Sequence, residues 1–473
     1  MLVHQRTIKQ PISIHGVGLH TGVTTTMTFK PAGPGTGIIF RRVDLPDQPE
    51  IPAIVDLVVE VARGTTLKKG DAKVHTVEHV LAALVGLQVD NVVIELDNIE
   101  PPICDGSAKP FAEALLKADF TSQDAPKDYL VIDETIRYTN EATGVDIVAL
   151  PMDSYRMTVM IDYQNPALGS QHTGLFDLEK EFLTEFAPAR TFCFLHEVES
   201  LYEQGLIKGG NIENAIVIVD QDLTEASARS ITKKLGLRHS LVMGRNGILN
   251  DKELRFKNEP ARHKLLDLMG DLALIGVPFK AQVLAARPGH ASNVEFARKV
   301  RKLYQQKKLV KKYQFEKKEG VVFDSNALLN ILPHRYPFVL VDKIIEFKLD
   351  EKIVGVKNVT IGDWYFQGHF PGRPIMPGVL ICEAMAQTGG VLLLNGLDNP
   401  DGKLAMFTSI DHCRFRRPVV PGDQLLLEVT IKSRRSRIAL MSARAFVGDD
   451  LAAEAEFSAA IVDRNETNNK PEK

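Results

Sequence analysis

Strand-like runs over Thr24–Phe29, where Met27 and Phe29 alternate with threonines, and over Ile38–Val43 lie between Gly and Pro clusters that read as turns. The period then lengthens. From Lys73 to Gly86 the residues Val74, Val77, Leu81, Leu84 and Val85 recur at helical spacing, which predicts a helix. A strand over Asn91–Leu96, an Asp105-Gly106 turn and a helix over Ala108–Ala118 complete a first unit. The same order returns downstream: strands between 129 and 163, a helical region up to Gly205, a strand over Ala215–Val219, a helix through Glu259–Asp271, a strand over Ala281–Ala285 and a helix over Val294–Tyr304. Beyond them, strand patterns (Phe338–Phe347, Lys352–Val359, several between Ala405 and Val462) flank a long apolar helix that starts near Pro377 and runs to Leu394. The pattern predicts an α+β protein: two similar α/β sandwich layers, then a sheet wrapped around one central helix.

Certain polar residues interrupt the apolar faces. His263, Asp267 and Asp271 lie four apart on a helix whose other positions, Leu265, Leu266, Leu268 and Met269, are apolar. One reading is a buried helix with satisfied polar groups. The other is half a metal site, with His263 and Asp267 as ligands and Asp271 supporting them, which needs a third ligand from elsewhere. Upstream, His75-Thr76-Val77-Glu78-His79 has the H-x-x-E-H form of an inverted zincin, with His75 and His79 as ligands and Glu78 as base; a chance pair of helical histidines has the same form. Gly16-Val17-Gly18-Leu19-His20-Thr21-Gly22 misses the dinucleotide fingerprint by one position and does not join a strand to a helix, so it reads as a tight turn presenting His20. In the C-terminal region a Pro/Gly-rich loop carries His369, and the apolar helix after it holds Glu383, a carboxylate expected to be buried and therefore paired, protonated or catalytic.

Charge changes this picture only locally. The 473 residues carry a net charge of −3 and a mean hydropathy near zero, which argues against a nucleic-acid partner for the whole. Between 298 and 320, Arg298, Lys299, Arg301, Lys302, Lys307, Lys308, Lys311, Lys312, Lys317 and Lys318 face only Glu316 and Glu319. That stretch reads as a solvated helix and linker, or as a landing surface for anionic lipid or an acidic carrier protein. No secretory signal or apolar run of spanning length is evident, and Cys104, Cys193, Cys382 and Cys413 form no CxxC pair. A cytosolic protein with buried, reduced cysteines is expected.

Taken together, Gly18-Leu19-His20-Thr21-Gly22, Thr76-Val77-Glu78-His79, Ala189-Arg190-Thr191-Phe192, Gly209-Gly210-Asn211, His263-Lys264-Leu265-Leu266-Asp267 with Gly270-Asp271, and Gly289-His290 resemble the UDP-3-O-acyl-N-acetylglucosamine deacetylases of lipid A synthesis. The resemblance covers about residues 1–305. It implies one Zn²⁺ held by His79, His263 and Asp267, with Glu78 as general base toward the attacking water. It also implies that His290 protonates the departing amine or stabilises the oxyanion, with Asp271 orienting it, and that Thr191 donates to the oxyanion. Lys264 and Phe192 would bind substrate, and His75 is not required.

Leu332-Pro333-His334-Arg335-Tyr336-Pro337-Phe338, the loop and helix from Gly368 to Gln387, and Arg414 to Asp423 resemble the hot-dog (3R)-hydroxyacyl-[acyl carrier protein] dehydratases of fatty acid synthesis. That resemblance implies His369 as the base at C2, Glu383 as the proton donor to the departing hydroxyl, and the Gly378 amide polarising the thioester carbonyl. It further implies sites shared between protomers, in dimers assembled into a hexamer. Asp replaces Glu383 in the related isomerising type, so isomerisation is not expected. Arg414, Arg416, Arg417, Lys432, Arg434 and Arg435 could receive acyl carrier protein or be a solvated face. The expected division is 1–123, 124–305, a basic linker 306–322, a dehydratase domain 323–464 and a disordered tail 465–473. A metallopeptidase fused to a thioesterase or a carrier-binding module is the competing reading.

Overall fold

The computed structural model describes residues 3–221, 232, 247–249, 252–313, 320–397, 402–435 and 438–463. They form two compact units, Met1–Arg301 and Lys302–Lys473. The first is built on two mixed sheets. One has the strand order Ile12–Val17, Thr24–Pro31, Val92–Leu96, Ile38–Arg42, Glu50–Pro52. The alternation read from Thr24 onward is real: Thr25, Met27 and Phe29 are buried while the residues between them are less so. The other sheet has the order Ile136–Asn140, Val145–Leu150, Phe279–Ala286, Tyr155–Asp162, Ser170–Leu175.

Each layer carries one helix that matters for chemistry, Glu78–Gly86 and Glu259–Ala273. Both are buried on nearly every side, so neither shows the single apolar stripe of a surface helix. They cross at Gly270, where an added Cβ would lie 2.0 Å from the Glu78 carbonyl oxygen. Only glycine permits that approach, and it brings Glu78 and His79 against the polar face of the second helix.

The helix expected from Lys73 begins only at Glu78. Ala72–Val74 is a strand paired with Thr66–Lys69, and Thr76 has φ of 53°, which a right-handed helix cannot contain. The Thr76 hydroxyl donates to Glu100 at 2.9 Å, which helps hold that turn. Val74 and Val77 are apolar because the strand and the turn are each buried, not because they share a helix face. The helix expected over Val294–Tyr304 is longer, His290–Tyr313. It absorbs much of the basic stretch: Arg298 pairs with Glu295, Arg301 with Asp56 and Lys302 with Glu351, and Lys299 donates to the Arg137 carbonyl. Lys317 and Lys318, and the expected tail from 465, lie outside the described residues.

In the second unit an antiparallel sheet has the order Lys343–Lys348, Lys352–Asn358, Gln424–Arg435, Ile438–Val447, Asp450–Asp463, Lys403–Phe415. The helix Gly378–Asn395 packs on it, the hot-dog arrangement. This helix is long and apolar enough to span a membrane, contrary to the expectation of no such run, but 83% of its apolar window is buried in this unit. The strand expected from Phe338 starts only at Lys343. Residues 338 and 340 spend their backbone groups on a side chain of the central helix, Gln387, instead of a ladder. The cysteines are also less uniform than expected. Cys382 is buried, Cys104 and Cys193 are half-buried, and Cys413 is exposed, with its Sγ 3.3 Å from that of Cys382.

Candidate active sites

His79, in the first turn of its helix, meets His263 and Asp267 of the second helix. One ligand-type atom from each lies within 4.8 Å of the others, and all three residues are buried. Backbone and neighbours select those atoms. His263 Nδ1 faces the Ala189 carbonyl at 3.1 Å, which leaves Nε2 toward the centre. Lys264 Nζ donates to Asp267 Oδ2 at 2.8 Å. Asp267 Oδ1 is then buried with no hydrogen-bond donor, 3.3 Å from His263 Nε2 and 3.6 Å from His79 Nε2. An orphaned buried carboxylate oxygen costs several kcal/mol unless a cation meets it. Burial holds His263 down at about 4, hence neutral. Burial pushes Asp267 up, but His263 and Lys264 outweigh it and hold the carboxyl well below its ordinary range. Two imidazoles and one carboxylate fit a divalent metal with an open coordination position.

Beside this triad sit an acid and a base. Glu78 Oε2 accepts from the Thr65 backbone N–H at 3.0 Å, and Oε1 lies 4.0 Å from His290 Nε2. Burial raises the Glu78 pKa. His290 opens its helix, where the helix dipole disfavours an imidazolium. Asp271 opposes that: its Oδ2 lies 2.9 Å from His290 Nδ1. Burial lowers the His290 pKa, but Asp271, with Glu78 and Asp267, raises it overall to about 9. Asp271 also accepts from Asn293 at 2.9 Å and the Thr65 hydroxyl at 2.6 Å.

Of the remaining residues expected in this site, Phe192 and Lys264 lie beside the triad. Thr191 is pinned through its backbone, N–H to Gly106 and carbonyl from Ile216, both at 2.8 Å. Gly106, with φ of 83°, is the turn residue that makes room: a Cβ there would collide with the Asn214 carbonyl. Phe192 places its ring 6.4 Å from that of His263, and Lys264 Nζ stands 5.7 Å over the Phe192 ring. The neighbouring Arg190 is spent on structure, in a buried ion pair with Glu259 at 2.8 Å. His20 is presented by a hairpin turn whose backbone N–H groups donate to Glu100. His75 is not on the helix: it sits in the preceding loop with Nδ1 2.8 Å from the Thr66 hydroxyl. The inverted-zincin reading therefore fails on geometry, as does the placement of His75 on a helix face.

In the second unit, His369 Nδ1 faces the Ile375 carbonyl at 2.7 Å, and its ring stacks on Phe370. Gly378 is the first helical residue, with Phe415 against its Cα. Glu383 is not buried as expected: its side chain is 26% exposed. It accepts from Gln387 Nε2 at 2.8 Å and lies 3.5 Å from His334 Nε2, while His369 and Glu383 make no hydrogen bond to each other within one chain. The basic residues near the sheet edge are largely paired, Arg416 with Glu454, Arg417 with Asp423, Lys432 with Glu456 and Arg434 with Asp350.

A profile of the UDP-3-O-acyl N-acetylglycosamine deacetylase family matches residues 5–230 and 219–302, and a profile of the FabA-like domain matches 332–456. Over its whole length the chain is similar to the "Bifunctional enzyme LpxC/FabZ" of Chlorobaculum tepidum, 61% identical over 465 residues, 98% of this chain and 100% of that protein. The chain belongs to the bifunctional LpxC/FabZ family. The Bacteroides thetaiotaomicron protein of that name is 43% identical over 98% of this chain and 99% of its own. The UDP-3-O-acyl-N-acetylglucosamine deacetylase of Myxococcus xanthus is 39% identical over 63% of this chain, 86% of that protein.

As a bifunctional LpxC/FabZ enzyme, the chain joins a metal-dependent deacetylase to a FabA-like dehydratase. Three polar contacts in these sites escaped sequence reasoning. Thr65 and Asn293 reach Asp271 from a loop and from the next helix, and no spacing links them to it. Gln387 lies four residues after Glu383 on one helix, so its position carried a legible signal.

Proposed function

We propose that the first unit hydrolyses the acetamide of a UDP-3-O-(3-hydroxyacyl)-N-acetylglucosamine at a zinc site formed by His79, His263 and Asp267. The observation that carries this is the donorless, buried Asp267 Oδ1 beside two imidazoles. Zinc suits a nitrogen-rich set with one carboxylate, and when bound it supplies the Lewis acidity that acidifies water and polarises a carbonyl. Glu78, kept proton-avid by burial, accepts the proton of the attacking water. His290, held cationic by Asp271, delivers a proton to the leaving amine. Thr191 donates to the oxyanion, Lys264 binds substrate charge and Phe192 packs on the sugar. Domains 1–123 and 124–305 contribute one helix each.

For the second unit the reading is dehydration of a (3R)-hydroxyacyl thioester on acyl carrier protein to the trans-2-enoyl product. His369 takes the C2 proton, Glu383 gives a proton to the departing hydroxyl, and the Gly378 amide polarises the thioester carbonyl. That His369 and Glu383 make no hydrogen bond to each other within one chain supports a site shared between two copies. The unpaired edge of Lys403–Phe415, with Met406, Ile410 and Phe415 exposed, supports a dimer joined along that strand. Both proposed substrates support a cytoplasmic enzyme, and the pairing of Arg298, Arg301 and Lys302 supports a structural role for those residues over a membrane-surface one. The test is metal content and acetate release for wild type, His79→Ala, His263→Ala and Asp267→Ala. Loss of about one zinc per chain together with activity in each variant is expected; metal and activity surviving loss of His263 or Asp267 overturn the assignment.

A further inference from the structure

The dehydratase reading needs Glu383 to deliver a proton, and the inference drawn from its surroundings rests on that reading. We propose that Gln387, assisted by His334, decides which oxygen of Glu383 carries that proton, making both positioning residues of the second site. Gln387 is 2% exposed and its amide is fixed at both ends by backbone. Its Oε1 accepts from the Leu340 N–H at 2.9 Å. Its Nε2 donates to the Phe338 carbonyl at 2.6 Å and to Glu383 Oε1 at 2.8 Å. Backbone groups cannot exchange roles, so a flipped amide would set donor against donor at Leu340 and acceptor against acceptor at Phe338. The amide therefore always points N–H at Glu383 Oε1, which must stay an acceptor. A proton on Oε1 would meet that N–H head on.

The transferable proton consequently sits on Oε2. His334 strengthens the bias. Its Nε2 lies 3.5 Å from the same Oε1, and its Nδ1 is buried without a partner, so the tautomer with hydrogen on Nε2 turns a second N–H dipole toward the oxygen that Gln387 already occupies. In the elimination, His369 takes the C2 proton and the C2–H electron pair forms the C2=C3 bond. The C3–O bond breaks and the departing oxygen takes the proton from Glu383 Oε2, leaving as water. No electron is exchanged with another reagent, and Glu383 ends as a carboxylate still bonded through Oε1 to Gln387. The contacts also explain why 338–340 is not a strand: its backbone is the mount for this amide.

The experiment uses the full chain and measures dehydratase kcat and KM on a 3-hydroxyacyl carrier-protein thioester, with deacetylase activity and dimer state as controls. Gln387→Met should lower kcat by about 10- to 100-fold, a fraction of a full acid–base contribution, with KM within about twofold. His334→Ala should lower kcat by about 3- to 10-fold, and His334→Gln, which restores an N–H donor, should recover most of it. Wild-type kcat in Gln387→Met, while Glu383→Gln is inactive, overturns the inference and leaves the catalytic reading intact. Full activity of Glu383→Gln removes the reading beneath it. Should Gln387→Met lose the dimer, the His334 pair decides: equal kcat in His334→Ala and His334→Gln overturns the role of the Oε1 donors.

Discussion

The two sites of this chain are built in opposite ways. In the first unit the candidate ligands and base come from two helices that cross backbone to backbone at Gly270, the candidate acid His290 comes from the start of a third helix, and these groups are almost entirely out of water. Burial is the largest influence on His263, Glu78, Asp267 and His290; it sets the direction for His263 and Glu78, and neighbouring charges reverse it for Asp267 and His290. In the second unit Glu383 is about a quarter exposed, His369 makes no hydrogen bond to it within the chain, and the sheet ends in a strand, Lys403–Phe415, paired on one side only among the described residues. On the proposed reading one site is finished by a single chain and the other offers two halves that a second copy brings together, so the two activities should respond differently to the same perturbation.

The largest effect should separate them completely. His263→Ala or Asp267→Ala should reduce acetate release by at least about a thousandfold and release the metal, while dehydration stays at the wild-type rate. A chelator should reproduce this on the wild-type chain. Parallel loss of dehydration would show that the first unit props up the second and would end the contrast. The converse perturbation is a charge on the free sheet edge. Ile410 is 52% exposed on the outer strand, and Ile410→Asp should split the dimer and lower dehydration by about a hundredfold, with acetate release unchanged. Sedimentation combined with both assays checks it; a monomer that still dehydrates would mean that one chain assembles the second site.

How much of this was legible divides along the same line. The His263 helix was readable because three polar residues at intervals of four stood out against Leu265, Leu266, Leu268 and Met269. The His79 helix was misread at its start because apolar burial in a strand and a turn imitated helical spacing, and nothing local announces the positive φ of Thr76. That error made His75 look like a ligand. In the second unit the long helix was plain, but the burial of Glu383 was inferred from its apolar neighbours. Gln387 donates to its carboxylate, and that contact depends on backbone groups of 338 and 340 that sequence periodicity does not register.

A smaller effect comes from the cation kept inside the first site. His290 rises from 6.5 to about 9 on folding because Asp271, Glu78 and Asp267 together outweigh its burial. The raised value means that its stabilising contribution is complete below about pH 6.5 and is lost as pH climbs through about 9. In the metal-stripped protein, the first unit should therefore be less stable near pH 10 than near pH 6 by about 3 kcal/mol more than in His290→Gln. Denaturant midpoints across that range test this. An identical pH dependence in the variant would mean that the Asp271 contact does not hold a proton on the ring.

The smallest effect is the most discriminating about the metal. His75 belongs to the motif that names His79, yet it lies in the loop before the helix, half-buried, with Nδ1 on the Thr66 hydroxyl. Burial lowers its pKa, so the ring is the neutral species that a metal accepts as a ligand. Geometry prevents it, because the turn at Thr76 takes His75 off the face that His79 presents to Asp267. His75→Ala should keep a full complement of metal and deacetylase kcat within about threefold of wild type, with a stability loss of about 1 kcal/mol for one hydrogen bond. Metal analysis on the purified variant, beside His79→Ala, separates the two histidines. Stoichiometric loss of metal from His75→Ala would mean that the loop refolds into helix around the ion, and the separation of loop from helix on which the first site is built would not hold in the loaded enzyme.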